Sequence, residues 1–504
     1  MLLVMFFLSP YIIGKLDAVS YGIWSLLNVL TGYMGLFDLG VRASVGRHVA
    51  LYLGKGDEKG VDETIRAGLG FFSLTGWLIL VAGIILAWLF PQIFRSISAE
   101  HHRMVRMLLP LMVVNVWLSA LAAIYSSVLA AHDRFDVARS IDIGVLIVRT
   151  AGTVWVLHIG WGLWGLVGSV VVGNILAVAG NCICARFHHH GLRSWPLLYS
   201  RERLREIVNY GLAAFVSSAS VKIIGQTDLI IVGVALSVSD VREYSVGAMI
   251  VYYSSTFVTL IGRTFFPVVQ RAVAAGRMGE ARHFLYRQVR LALCFGLLVY
   301  VGFAIYSRSF IRLWMLQDNF DERSVEASAL VMTVLAIAQL PLLYTRPSLN
   351  LLAAMGYIRF NAGIAIIEAL ANLGLSLYFV LVMRWGLAGI AAGTLVSRLL
   401  VSGIWVPFYL CRRADIPLRR FVFATLLPGI FAAGLFAVFC LCLLWIWLPT
   451  TWLALWTHIA VATLCWAVLA SVMLLPHDYR QRVIGHLCRL VFGMKVLLKG
   501  MCNK

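Results

Sequence analysis

The sequence predicts an all-α polytopic membrane protein of about fourteen transmembrane helices, the first one truncated. They are read as two six-helix lobes related by an internal repeat, plus two C-terminal helices. Three observations support this. Of 504 residues, 61% are apolar and only 13% are charged, and mean hydropathy is +0.88; a soluble domain is about 45–50% apolar and about 25% charged. Thirteen apolar runs approach or exceed the roughly 20 residues needed to cross a bilayer. Short motifs also recur at a nearly fixed offset. The composition excludes a cytosolic enzyme and a disordered chain. A net charge of +19 does not require nucleic acid, because membrane proteins collect Lys and Arg in cytoplasmic loops.

The runs follow in order. Residues 1–13 are apolar but too short to span. They lack the basic start and small-residue cleavage site of a signal peptide, so they read as the second half of a first helix whose beginning is expected upstream of Met1. Next come 21–49, long and polar at its end, then 67–90, 107–131, 141–158, 163–184, 207–236, 244–269, 291–315, 327–354, 360–383, 386–410, 421–448 and 452–475. Pro267, Pro341, Pro347 and Pro428 lie in or near these runs and are expected to kink them. Residues 478–504 mix apolar with basic side chains and read as an amphipathic cytoplasmic tail. The nine cysteines show neither a CxxC pair nor metal-ligand spacing, so no metal and no cofactor are expected. Loops between the runs are too short to hold a catalytic domain, and the chain reads as a non-enzyme.

Orientation comes from counting basic residues. If the loops after spans 2, 4, 6, 8, 10, 12 and 14 face the cytoplasm, that side, span ends such as Arg42 included, holds 28 Lys and Arg and the other side 7. This puts both termini in the cytoplasm. The repeat supports an even number of spans per unit. Leu129-Ala-Ala131 recurs as Leu352-Ala-Ala354, Trp161-Gly-Leu-Trp-Gly165 as Trp385-Gly-Leu-Ala-Gly389, and Arg134-Phe135 as Arg359-Phe360, at offsets of 223 to 225. The expected division is an N-lobe over 1–206, a C-lobe over 207–410, a peripheral span pair over 411–476 and the tail over 477–504.

Six basic residues fall inside spans of the two lobes: Arg42, Arg149, Lys222, Arg263, Arg346 and Arg398. Unrelieved, they would cost about 15–21 kcal/mol on insertion scales. Polar stripes at helical spacing accompany them, including Ser255/Thr259/Arg263, Thr394/Arg398/Ser402, Gln339/Arg346/Asn350 and Glu368/Asn372/Ser376. Such stripes face a bundle interior or a water-filled cavity, because lipid offers them no partner. The acidic residues at similar depth are Asp38, Asp142, Asp228 and Glu368. The interior is therefore net cationic and suits an anion such as a phosphate. Asp38 with Arg42, and Asp142 with Arg149, are alternatively local ion pairs. The run from Phe421 to His477 has no Asp, Glu, Lys or Arg, which predicts lipid-facing helices with His458 as a packing residue.

The run from Ser9 to Trp24, followed by Gly32-Tyr33 and Phe37-Asp-Leu-Gly40, resembles the N-terminal pattern of bacterial oligosaccharide flippases. These are the Wzx-like polysaccharide transporters of the multidrug/oligosaccharidyl-lipid/polysaccharide exporter superfamily. Thr227-Asp-Leu-Ile-Ile-Val-Gly233, Phe266-Pro267, Glu368-Ala-Leu-Ala-Asn372 and the run from Gly386 to Thr394 extend the similarity over residues 9–410. The fourteen spans resemble the lipid II flippase branch, whereas many O-antigen flippases have twelve. The resemblance implies a pair of six-helix lobes around a central cavity, a bacterial inner-membrane location and alternating access. It also implies a polyprenyl-diphosphate-linked glycan as cargo. The lipid bilayer is the other expected partner, polysaccharide polymerase machinery is a further candidate, and nucleic acid is not expected.

The function expected is translocation of an undecaprenyl-diphosphate-linked oligosaccharide, an O-antigen or exopolysaccharide unit, to the periplasmic leaflet. The substrate-binding set would be Lys222, Arg263, Arg346, Arg398, Arg149 and Arg42, with Gln339, Asn350 and Asn372 toward sugar. Asp228 and Glu368 would couple an ion or proton, and Asp38 and Asp142 would pair charges. The alternatives are an organic-cation antiporter of the same superfamily, which would want an acidic or aromatic cavity, and a membrane glycan polymerase or ligase, which would want a larger external loop.

Overall fold

The computed structural model describes residues 2–38, 40–189, 205 and 226–474. Among these the protein is all-α, and an isolated bridge between Gln317 and Phe320 is the sole β feature. Eleven helical segments are long and apolar enough to cross a membrane, and two shorter apolar helices accompany them, Val4–Lys15 and Gln226–Ala235. The expected span over 207–236 lies mostly outside the described residues, as does the tail.

The helices in chain order are α1 Leu2–Lys15, α2 Ala18–Met34, α3 Val41–Gly54, α4 Glu58–Ile93, α5 Ala99–Ala131, α6 Phe135–His158 and α7 Gly162–His188. After the short α8 (Gln226–Ala235) follow α9 Asp240–Ala274, α10 Met278–Met315, α11 Glu322–Gln339, α12 Leu342–Ala354, α13 Ile358–Leu377 and α14 Gly386–Ser397. The chain continues through α15 Val406–Arg413, α16 Leu418–Phe421, α17 Leu427–Ile446 and α18 Trp452–Met473. Two compact units emerge. The first comprises the described residues of Met1–Val246 with Met315–Ser324 and Ser376–Ile390; the second comprises Gly247–Trp314, Val325–Leu375 and the described residues of Ala391–Lys504.

In the first unit the run 21–49 is not one helix, as the sequence had suggested. α2 stops at Met34, residues Gly35–Asp38 form a 3₁₀ turn, and α3 begins after Gly40 at φ 73°. The left-handed conformation costs an ordinary residue about 1–2 kcal/mol and glycine almost nothing, so Gly40 permits the break. α3 then packs on α4 and α5 through a core of Val41, Val45, Val49, Ile65, Phe72 and Val128. α2 is started by Asp17, whose carboxylate accepts the backbone N–H groups of Val19 and Ser20 at 3.1 Å, two of the donors a helix start leaves without partners. Close approach is built in at Gly22, where an added Cβ would lie 1.9 Å from the Val238 carbonyl oxygen.

In the second unit proline sets the helix breaks. Pro341 separates α11 from α12. Pro428, near the start of α17, lacks the N–H that would bond the carbonyl of Ala424; that carbonyl is taken instead by the Arg290 guanidinium at 3.3 Å. Non-helical backbone is tolerated at membrane depth where such a partner exists. Stretches Arg398–Trp405 and Val422–Leu426 run as wider π-helix turns. α17 and α18 bury one stripe each, Gly429, Ala432, Phe436 and Cys440 on one, Leu455, His458, Ala462 and Trp466 on the other. Their other faces leave Leu435, Trp445, Leu453 and Leu464 exposed. His458 is 1% exposed, with rings of Tyr306 and Trp447 against it. The Trp466 indole donates to the Cys294 carbonyl at 2.7 Å, anchoring α18 to α10.

Candidate functional site

The polar side chains gather in separate clusters within each unit. In the first unit, α8 carries Thr227 and Asp228. The Tyr33 hydroxyl of α2 is 2.7 Å from Thr227 Oγ1, and the Tyr244 hydroxyl at the start of α9 donates to Asp228 Oδ2 at 2.8 Å. Asp228 is 1% exposed, so a carboxylate is held in a dry, hydroxyl-lined position. Asp38 and Arg42 form an i,i+4 pair at 3.5 Å across the break between the 3₁₀ turn and α3, both partly exposed. Asp142 pairs with Arg139 at 3.0 Å on the exposed side of α6, and not with Arg149 as the spacing of seven had allowed. Arg149 sits against α7, where Gly173 leaves room for its stem, and has no ion-pair partner among the described residues.

In the second unit two arrangements stand out. The first surrounds Glu368 of α13. Arg398 Nε lies 3.7 Å from Glu368 Oε1, with both side chains under a tenth exposed. The Ser402 hydroxyl, one π-helix turn on from Arg398, donates to Glu368 Oε2. Arg398 Nη1 makes a long contact of 3.5 Å to the Ala338 carbonyl, just before the break at Pro341. On the same two elements Asn372 donates to Thr394 Oγ1 at 2.7 Å. Two of the expected stripes thus meet, and Arg398 stands beside a carboxylate. Gln339, beside the break, is 1% exposed and its Nε2 has no hydrogen-bond partner among the described residues.

The second arrangement is a cavity of about 240 Å³ between α9, α10 and α12. Its polar lining is Thr259, Gln288, Arg346 and Asn350, on walls that include Phe266 and Leu343. The Arg346 guanidinium donates to the Thr259 hydroxyl; among the described residues it has no carboxylate partner. Arg263 is on α9 next to Gly262, and only its backbone is among the described residues. Lys222 lies outside the described residues.

Two features were missed from sequence. Gln288 falls between Arg287 and Arg290, a stretch that reads as basic loop, yet it is 2% exposed inside α10. Arg242 and Glu243 read as the end of an external loop. They form a buried pair at 2.6 Å, with Arg242 also bonded to Ser324 at 3.1 Å and to the Asn319 carbonyl, its guanidinium over the Phe320 ring. The Ser324 hydroxyl closes the network on Glu243. The available signal was the adjacency of opposite charges at a span end, which is too common to single out.

Comparison with known proteins agrees with this architecture. A protein of Shigella flexneri named "Putative O-antigen transporter" is 22% identical over 378 residues, covering 74% of this chain and 85% of the relative. The solved structure of a lipid II flippase MurJ in an inward closed conformation superposes with a TM-score of 0.69 at 16% identity, covering 95% of this chain and 97% of that one. An inward-facing multidrug resistance MATE family transporter of the MOP superfamily gives 0.67 at 13% identity, covering 82% and 95%. At these identities the structures establish the fold alone. Residues 50–466 match the model of the family described as lipid II flippase MurJ, and by that match over most of its length the chain belongs to the MurJ flippase family of membrane transporters.

Proposed function

We propose that this protein flips an undecaprenyl-diphosphate-linked oligosaccharide, an O-antigen or exopolysaccharide repeat unit, from the cytoplasmic to the periplasmic leaflet of a bacterial inner membrane by alternating access. The observation that carries this reading is Arg346: a guanidinium at membrane depth, bonded to one hydroxyl and bordering a cavity. An uncompensated cation inside a bundle is expensive and is relieved by an anionic ligand, which Arg holds with a fork of donors. The net-cationic interior and the 28-to-7 bias of basic residues support the same reading, with both termini cytoplasmic. In this reading the lobes are 1–206 and 207–410, the pair 411–476 sits at the periphery, and Lys222, Arg263 and Arg346 hold the diphosphate. Asn350 and Gln339 face sugar. Asp228 and Glu368 carry the coupling charge, and Arg398 stands as the charge partner of Glu368 at 3.7 Å.

The test is transport of a fluorescent polyprenyl-diphosphate disaccharide in proteoliposomes. Lys222→Gln and Arg346→Gln should each abolish flipping while insertion and yield stay normal. Normal flipping by both variants would sink the assignment. The likeness to the MATE transporter favours one other reading, an organic-cation antiporter. Uptake of ethidium against a proton or sodium gradient, unaffected by either variant, would make that reading the better one.

A further inference from the structure

Within the second unit, the cavity between α9, α10 and α12 contains more hydrogen-bonding capacity than the protein itself uses. Gln288 is 2% exposed, and neither its carboxamide nor that of Asn350 has a hydrogen-bond partner among the described residues. Amides that line a cavity without a protein partner mark a site for water or a ligand. The two amide nitrogens converge on Gly262: a Cβ there would sit 3.2 Å from Asn350 Nδ2 and 3.3 Å from Gln288 Nε2. Any larger residue at 262 would press on both. Arg346 has five N–H donors and among the described residues uses one, on Thr259. The cavity offers roughly 240 Å³ of space. It is smaller than the pocket of a drug-sized ligand and suits one polar ring with one charged group. Its position late in α9, early in α10 and within α12 is the end of these helices expected to face the cytoplasm.

We propose that this cavity is a glycosyl-phosphate subsite, in which Arg346 and Thr259 take the phosphoryl oxygens and Gln288 and Asn350 read the hydroxyls of the first sugar, with Gly262 keeping the space open. The proposal rests on the reading of the cargo as a phosphate-linked glycan. It adds Gln288 and Gly262 as residues that determine specificity, and it places the capture of the sugar-phosphate junction at the loading end.

The experiment measures binding of glucose 1-phosphate, inorganic phosphate and methyl glucoside to the full-length protein in neutral detergent, by calorimetry and by the shift in thermal unfolding. Glucose 1-phosphate should bind best. Gln288→Leu and Gly262→Ala should each weaken it about tenfold, and Arg346→Gln should erase its advantage over methyl glucoside. Phosphatidylglycerol added to the micelles should not compete. Gln288→Glu, nearly isosteric and repelling phosphate, serves if the leucine variant does not fold. Unchanged affinity in both the Gln288 and Gly262 variants would overturn the proposal. Equal binding of inorganic phosphate would reduce the site to a bare anion hole, and competition by phosphatidylglycerol would make it a lipid-headgroup site; either overturns it. If proteoliposomes fail to flip the lipid-linked disaccharide while Gln288-dependent binding persists, the flippase reading falls and the subsite stands. Flipping that is intact and indifferent to Gln288 and Gly262 leaves the flippase reading and removes the subsite.

Discussion

Removing the Glu368 carboxylate should destabilise the second unit by about 3–5 kcal/mol, the usual cost of stripping one partner from a buried ion pair. The geometry gives a similar figure. At 3.7 Å and an effective dielectric of about 20, the attraction between the two charges is about 4.5 kcal/mol. In Glu368→Ala the Arg398 guanidinium keeps, among the described residues, its 3.5 Å contact to the Ala338 carbonyl, which is long for a hydrogen bond. The Ser402 hydroxyl loses its acceptor as well. Replacing both charges, as Glu368→Leu with Arg398→Met, should recover most of the loss, because the desolvation cost of the pair disappears with it. The assay is equilibrium unfolding of the purified protein in mixed detergent micelles, run as a double-mutant cycle. Single variants within 1 kcal/mol of the parent, or strictly additive effects, would refute the reasoning and mean that Arg398 finds another partner.

Three other perturbations follow from the structure. Gly22→Ala should fail to fold or lose at least about 1–3 kcal/mol, the cost of overpacking, since the new methyl would meet the Val238 carbonyl oxygen at 1.9 Å; a variant with the parent's unfolding profile would contradict that contact. Asp38→Asn should cost no more than about 1 kcal/mol and lose its effect in high salt, because the Asp38–Arg42 pair is partly exposed; a larger, salt-independent loss in the same unfolding assay would count against this. Asp321 precedes α11 and accepts the Ser324 N–H at 2.9 Å, and that hydrogen bond holds its carboxyl below the ordinary value of 3.8. Its folded pKa is depressed, so its contribution is fully present above the ordinary carboxylate range and is lost as pH falls through the lowered value. Asp321→Asn should flatten that acid limb of the stability curve relative to the parent, and identical acid limbs would refute the assignment.

How much was readable from sequence varies by element. Among the described residues, eleven of the apolar runs became helices long and apolar enough to cross a membrane, because about 20 apolar residues have no other place to go. The run 21–49 misled: hydropathy cannot register that α2 stops at Met34 and that Gly40 enters the left-handed region just before α3. Charges four apart in sequence were legible, and Asp38 does meet Arg42, although a helix break lies between them. Asp142 was not, since two arginines lay within helical reach of it and only the structure selects Arg139.

The sequence by itself determined the solvent of this protein, its helical class and which polar residues had to be sheltered, because the cost of placing Arg398 or Glu368 in lipid is a property of the residue and its depth. The tertiary structure alone decided which of those charges are satisfied. Arg398 meets Glu368 across two helices thirty residues apart, whereas among the described residues Arg346 bonds a hydroxyl and pairs with no carboxylate. Gln288, hidden in a basic stretch, becomes a buried amide facing a cavity. Hydropathy is additive along the chain, but neutralisation depends on the distance between helices, and that distance is set by packing.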